Sequence, residues 1–145
     1  MQINGLLIPE RLDALLASGP STRYSGSRPL RRAQDCCGNP LETELGQVFQ
    51  TVDEMQRETE ALARHYVADG IYGEDLDDLA GPGAIPDITH FERIACFAIA
   101  GDGSPFCLDY RENPSDPSVI WWDDTYWRKL APSFEAFLEL FNGIA

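Results

Sequence analysis

At 145 residues with a formal net charge of −13, the chain is long enough for one acidic domain that buries about two-thirds of its unfolded surface. Its hydrophobic content of 43% and charged content of 24% are those of a globular protein, which argues against disorder over most of the length. No apolar run approaches the roughly 20 residues needed to cross a bilayer, and the N-terminus lacks the basic stretch of a signal peptide, so a cytoplasmic protein is expected.

The charge is unevenly placed. Through Ala68 there are nine acids and seven bases; from Asp69 onward there are fifteen acids and four bases. A nucleic-acid backbone would be repelled by the second half. A basic protein partner would be attracted to it and meet it faster. Solubility alone would explain the same excess, so the sign excludes partners more firmly than it names one.

In chain order, Pro9 opens a first helix with Leu12, Leu15 and Leu16 on one face, and Gly19 ends it. Residues 20–38 read as a Ser-, Pro- and Arg-rich loop. Its arginines, Arg23, Arg28, Arg31 and Arg32, are expected to meet the chain's own acids or stay solvated. Next, a long amphipathic helix is expected over 40–68. Asn39 is its cap, Pro40 lies in its first turn and Glu42 completes a capping box. Leu45, Val48, Phe49, Val52, Met55, Leu62, Ala63 and Tyr66 form its buried stripe. Residues 69–83 are acidic and glycine-rich, but the acids at 74, 75, 77 and 78 do not alternate as a calcium loop requires. They read as a solvated connection.

The C-terminal third is clearer. Ile94 to Ala100 is a continuous apolar run, and Ala95, Phe97 and Ile99 share a face with Phe106, Leu108 and Tyr110 across a turn at Asp102-Gly103-Ser104. That is a β-hairpin, with Cys107 and Asp109 on its opposite face. Asn113 to Pro117 is a loop, Val119 to Trp122 a third strand and Tyr126 to Leu130 a fourth. Ser133 caps a helix over Phe134 to Phe141, and Asn142-Gly143 stops it. The expected class is α+β, one mostly antiparallel sheet of about four to six strands packed against helices.

The cysteines suggest no chemistry. Cys36 and Cys37 are adjacent, an arrangement too strained to bridge readily. Cys96 and Cys107 lie in the apolar strands, where a thiol behaves as a small hydrophobe. There is no CxxC pair, and His65 and His90 are not at zinc spacing, so neither metal nor cofactor is expected.

Taken in order, five segments resemble the SUKH superfamily, which includes bacterial toxin-immunity proteins and a fungal cell-wall-assembly regulator. They are Ile8-Pro9-Glu10-Arg11-Leu12, the strand and turn Ile99 to Gly103, Leu108-Asp109, the aromatic and acidic Val119 to Asp124, and the Ser133 to Leu138 helix. The resemblance covers residues 93–141 best, while residues 20–85 depart from its pattern. It implies a single SUKH-like domain over 1–145 that binds protein without catalysis. The role it implies is that of an immunity protein neutralising a cognate bacterial toxin, often a nuclease.

Aromatic residues beside acids are the types that anchor and steer such contacts. The candidate binding surface is therefore Asp102, Asp109, Glu112, Trp121, Trp122, Asp123, Asp124 and Tyr126. Strand alternation leaves at most one of Trp121 and Trp122 available, and Phe106, Phe134 and Phe137 are assigned to packing. A regulatory or scaffold module using the same face is the alternative. An enzyme would need paired carboxylates from Asp109, Asp123 and Asp124, or Cys96 or Cys107 with His90. No GxSxG elbow is present for a serine triad.

Overall fold

Apolar residues at strand and helix spacing are divided here between the two faces of one sheet. The computed structural model describes residues 2, 3, 5–17, 36, 38, 43–49, 51–66, 84, 85, 88, 90–123 and 126–140. In chain order the elements are β1 (Gln2–Ile3), β2 (Leu6–Leu7), α1 (Glu10–Ala17), β3 (Leu45–Val48), α2 (Val52–His65), β4 (Ala84–Ile85), β5 (Ile94–Ala100), β6 (Pro105–Asp109), β7 (Ser118–Asp123), β8 (Tyr126–Ala131) and α3 (Phe134–Leu138). β1 and β2 form a small antiparallel pair of their own. The other six strands make one sheet in the order β3-β5-β6-β7-β8-β4, antiparallel at every pairing. The α+β class and the sheet expected from the sequence are the ones found.

β5 and β6 are adjacent interior strands of this sheet, and nearly every residue in them is buried. Both of their faces are therefore covered. On one face Phe97 meets Phe134 and Phe137 of α3 with ring centroids 5.3 and 5.1 Å apart, and Phe106 meets Phe137 at 5.4 Å. Each buried ring contributes roughly 1.5–3 kcal/mol, and edge-on packing adds to it. On the other face the C-terminal end of α2 reaches Trp122 and Trp127. Tyr66 lies 5.5 Å from the first ring and 6.4 Å from the second, and its carbonyl accepts the Trp127 indole N–H at 2.8 Å.

The β5–β6 register slips between Cys96 and Ala98. Ala95 opposes Leu108 and Ala98 opposes Phe106, so the simple Ala95-Phe97-Ile99 alternation expected from the sequence is broken by a bulge at Phe97. Phe97 still faces α3 together with Phe106, and the residues after the bulge change face, with Ala98 opposite Phe106 and Ile99 opposite Pro105. At the end of the hairpin, Gly103 takes a φ of 91°, and its N–H donates to Ala100 O at 3.0 Å.

The helix expected over 40–68 is shorter than the pattern suggested. Leu45–Val48 is an edge strand beside β5, and the helix begins only at Val52. Thr51 is the cap; its hydroxyl accepts the Glu54 N–H at 3.1 Å. Leu45, Val48 and Phe49 fit a helical stripe as well as a strand, and long-range pairing decides between them. Gly46 lies so close to β5 that a Cβ there would stand 2.7 Å from the Ala100 carbonyl oxygen. Asn39, Pro40 and Glu42, the loop residues 20–35 and the acidic stretch 69–83 lie outside the described residues.

Where β3 ends, α2 takes over the edge of β5. The Cys96 N–H, facing away from β6, donates to the Thr59 hydroxyl at 2.9 Å, and that hydroxyl donates to Met55 O at 2.6 Å. A buried edge amide is satisfied without another strand.

Candidate functional site

Strand direction sorts the predicted binding residues before any side chain is considered. β5 and β7 run toward one end of the sheet, while β6 and β8 run back. The β5–β6 turn carrying Asp102 therefore lies at the same end as Asp123, the last residue of β7, and Tyr126, the first of β8. Asp109 and Glu112 lie at the opposite end. A six-residue strand separates the two ends by on the order of 15–20 Å. The eight residues do not form one patch.

At the turn end, Asp102 is exposed and organises the turn. One of its oxygens, Oδ1, accepts from the Ser104 N–H at 3.0 Å and from the Ser104 hydroxyl at 2.6 Å. Those bonds hold its carboxyl below the usual carboxylate range. The Ser104 oxygen in turn accepts the Trp121 indole N–H at 2.8 Å. Trp121 is 5% exposed and stacks on Phe106, so it belongs to the core. Trp122, on the opposite face, is half-buried between Tyr66 and Trp127 and is the tryptophan with surface to offer. Asp123 and Tyr126 are directly paired across β7 and β8. Asp124 lies outside the described residues.

Two residues outside the predicted binding set belong to this end. Glu44, immediately before β3, is exposed, and its side chain lies over Gly101. Its backbone carbonyl accepts the Gly101 N–H at 3.1 Å. Tyr66 caps α2 against Trp122. Burial first, and then nearby groups including Asp102, raise its hydroxyl pKa above the ordinary value, leaving a neutral phenol at physiological pH. Glu44 was hidden because its position follows from β3, which the sequence reads as helix.

The opposite end is built differently. Asp109 is 5% exposed, and Arg111 holds both of its oxygens, Nε to Oδ1 and Nη2 to Oδ2, each at 2.9 Å. The Arg111 backbone N–H adds a third bond at 3.0 Å. Asp109 was expected on a binding surface as an acid beside an aromatic residue, and it was placed on the face opposite Phe106. That face is interior as well, so its carboxylate serves as an anchor for the chain leaving β6. Glu112 is exposed and, with Asp109, Asn113, Asp116, Ser118, Lys129 and Pro132, lines a cavity of about 190 Å³. Lys129 offsets part of the acidity there.

Neither end assembles catalytic chemistry from the described residues. Among them no group of three or more His, Cys, Asp and Glu side chains could hold a metal ion, and no helix is long and apolar enough to cross a membrane. His90 is exposed, while Cys96 and Cys107 are buried in the sheet.

The SMI1/KNR4 family (SUKH-1) matches residues 31–140, three-quarters of the chain. The chain belongs to that family. No curated protein and no solved structure matches it. The SUKH-1 match takes in β3 to β8, α2 and α3, so both ends of the sheet fall within the family region. It also takes in residues 31–85, where the sequence alone departed from the expected pattern.

Proposed function

We propose that this SUKH-1 chain is a non-catalytic immunity protein that binds and neutralises a cognate bacterial toxin with a basic surface, working in the cytoplasm. The docking surface is the turn end of the sheet, where Glu44, Asp102, Trp122 and Tyr66 stand with the strand ends at Asp123 and Tyr126; Asp124 follows Asp123 in the chain and is proposed to add to the charge. The observation that carries this choice is the convergence of Glu44, Asp102 and Asp123 on one end beside half-buried Trp122. Family membership supports recognition of a protein. The excess of fifteen acids over four bases after Ala68 supports a basic partner. Ser104 and Trp121 support this surface from below, fixing the turn that carries Asp102. Asp109 and Glu112, at the far end, are not part of it.

The proposal expects a toxin gene beside this one, and the test is co-expression with its product. Asp123→Lys/Asp124→Lys is expected to weaken rescue of the host cell. Glu112→Lys/Asp116→Lys, an equal charge reversal at the other end, is expected to leave rescue intact. Rescue lost only in the second variant would move the surface to the cavity end, and rescue lost in neither would remove the electrostatic reading. A regulatory module of the same family would bind several host proteins in place of one toxin, so a pull-down dominated by the adjacent gene's product separates the two roles.

A further inference from the structure

We propose that Cys96 and Cys107 are a dithiol pair that closes into a cross-strand disulfide under oxidation, joining the adjacent interior strands β5 and β6 of the sheet. The two residues are direct partners in the β5–β6 register, and both are buried free cysteines. Their pairing is of the non-hydrogen-bonded kind. The Cys96 N–H points away from β6 and donates to Thr59, whereas the flanking Tyr110 N–H donates to Arg93 O across the ladder. Non-hydrogen-bonded partners in antiparallel strands have Cα atoms about 4.5 Å apart and the closer side chains. That lies within the roughly 4.4–6.8 Å a disulfide spans. The bulge between Cys96 and Ala98 gives β5 slack beside the pair. The Cys96 thiol is held by Ala98 O at 3.6 Å and hydrogen-bonds with the Cys107 thiol beside it.

The chemistry balances with a peroxide as oxidant. One thiolate attacks the O–O bond to give a sulfenic acid and one water. The second thiol displaces the hydroxyl as another water and forms the S–S bond. Both thiol hydrogens leave in water, and the two sulfurs together lose two electrons to the peroxide. Burial raises the Cys107 thiol pKa well above its ordinary value, which suppresses its thiolate. Closure is therefore slow compared with an exposed thiol and reports a strong oxidant, not ambient oxygen.

The experiment uses the full chain carrying Cys36→Ser/Cys37→Ser, which leaves Cys96 and Cys107 as the only thiols. The folded protein is treated with hydrogen peroxide, and both free thiols and linked peptides are measured. The expected result is loss of both thiols with a Cys96–Cys107 linked peptide, reversed by a reductant, while circular dichroism stays native. Adding Cys107→Ser to the same background should abolish the linkage and leave only sulfenic or higher acids on Cys96. Thiols that persist in the folded protein would overturn the proposal. So would thiols lost without a linkage, or a linkage that forms only in denaturant.

Discussion

Ser104 joins three roles in one side chain: its hydroxyl accepts from the buried Trp121 indole and donates to Asp102, and its backbone N–H donates to the same carboxylate. Ser104→Ala would leave a buried indole N–H without its acceptor, at a cost of about 1–3 kcal/mol, measured by urea unfolding. Near-wild-type stability would mean that Trp121 finds another acceptor. Asp102 adds a pH dependence whose sign is fixed. Its folded pKa is lowered by Ser104, so its contribution is present above the ordinary carboxylate pKa and is lost as pH falls through the lowered value. Stability of wild type relative to Asp102→Asn should therefore shrink on acidification below about pH 4 and stay constant between pH 5 and 8. Asp109 follows a different logic, because it is buried and doubly bonded to a half-exposed Arg111. Asp109→Asn is expected to destabilise by about 1–3 kcal/mol yet leave partner affinity unchanged in protein that remains folded. A specific loss of affinity would return Asp109 to the binding surface.

At the scale of elements, α2 closes the β5 edge through Thr59. Thr59→Val keeps the shape and removes both hydrogen bonds of the hydroxyl, leaving the Cys96 N–H buried and unpaired. A loss of about 1–3 kcal/mol is expected in chemical unfolding, with Thr59→Ser recovering most of it. The central hairpin was legible in the sequence because an unbroken apolar run, a glycine turn and a second apolar run admit one arrangement. The helix caps at Ser133 and the strand pair Val119–Trp122 and Tyr126–Leu130 were legible for the same local reason. β3 was not. Leu45, Val48 and Phe49 satisfy helical and strand spacing alike, and only pairing with Ala98–Ala100 selects the strand. The bulge at Phe97 was equally hidden, since nothing local distinguishes it from its neighbours. Residue types at the candidate surface were readable, but their grouping was not. Which end of the sheet holds a residue follows from topology, and Arg111 and Ser104 decide the roles of Asp109 and Trp121 through turn geometry.

For the whole molecule, the proposed function has the net charge of −13 acting at long range and the turn end acting at contact. Long-range attraction is screened over about 8 Å at physiological ionic strength, so association with a basic partner should slow as salt rises while dissociation changes little. The most direct measurement is the affinity of the purified chain for the neighbouring gene's product, which the proposed function expects to be a basic toxin, taken from low to high salt. Wild type would be compared with Asp123→Lys/Asp124→Lys and with Glu112→Lys/Asp116→Lys. The account predicts tight, salt-sensitive binding by wild type, at least tenfold weaker binding by the turn-end variant, and near-normal binding by the cavity-end variant, tenfold being about 1.4 kcal/mol. Equal, salt-independent affinity across all three proteins would contradict it.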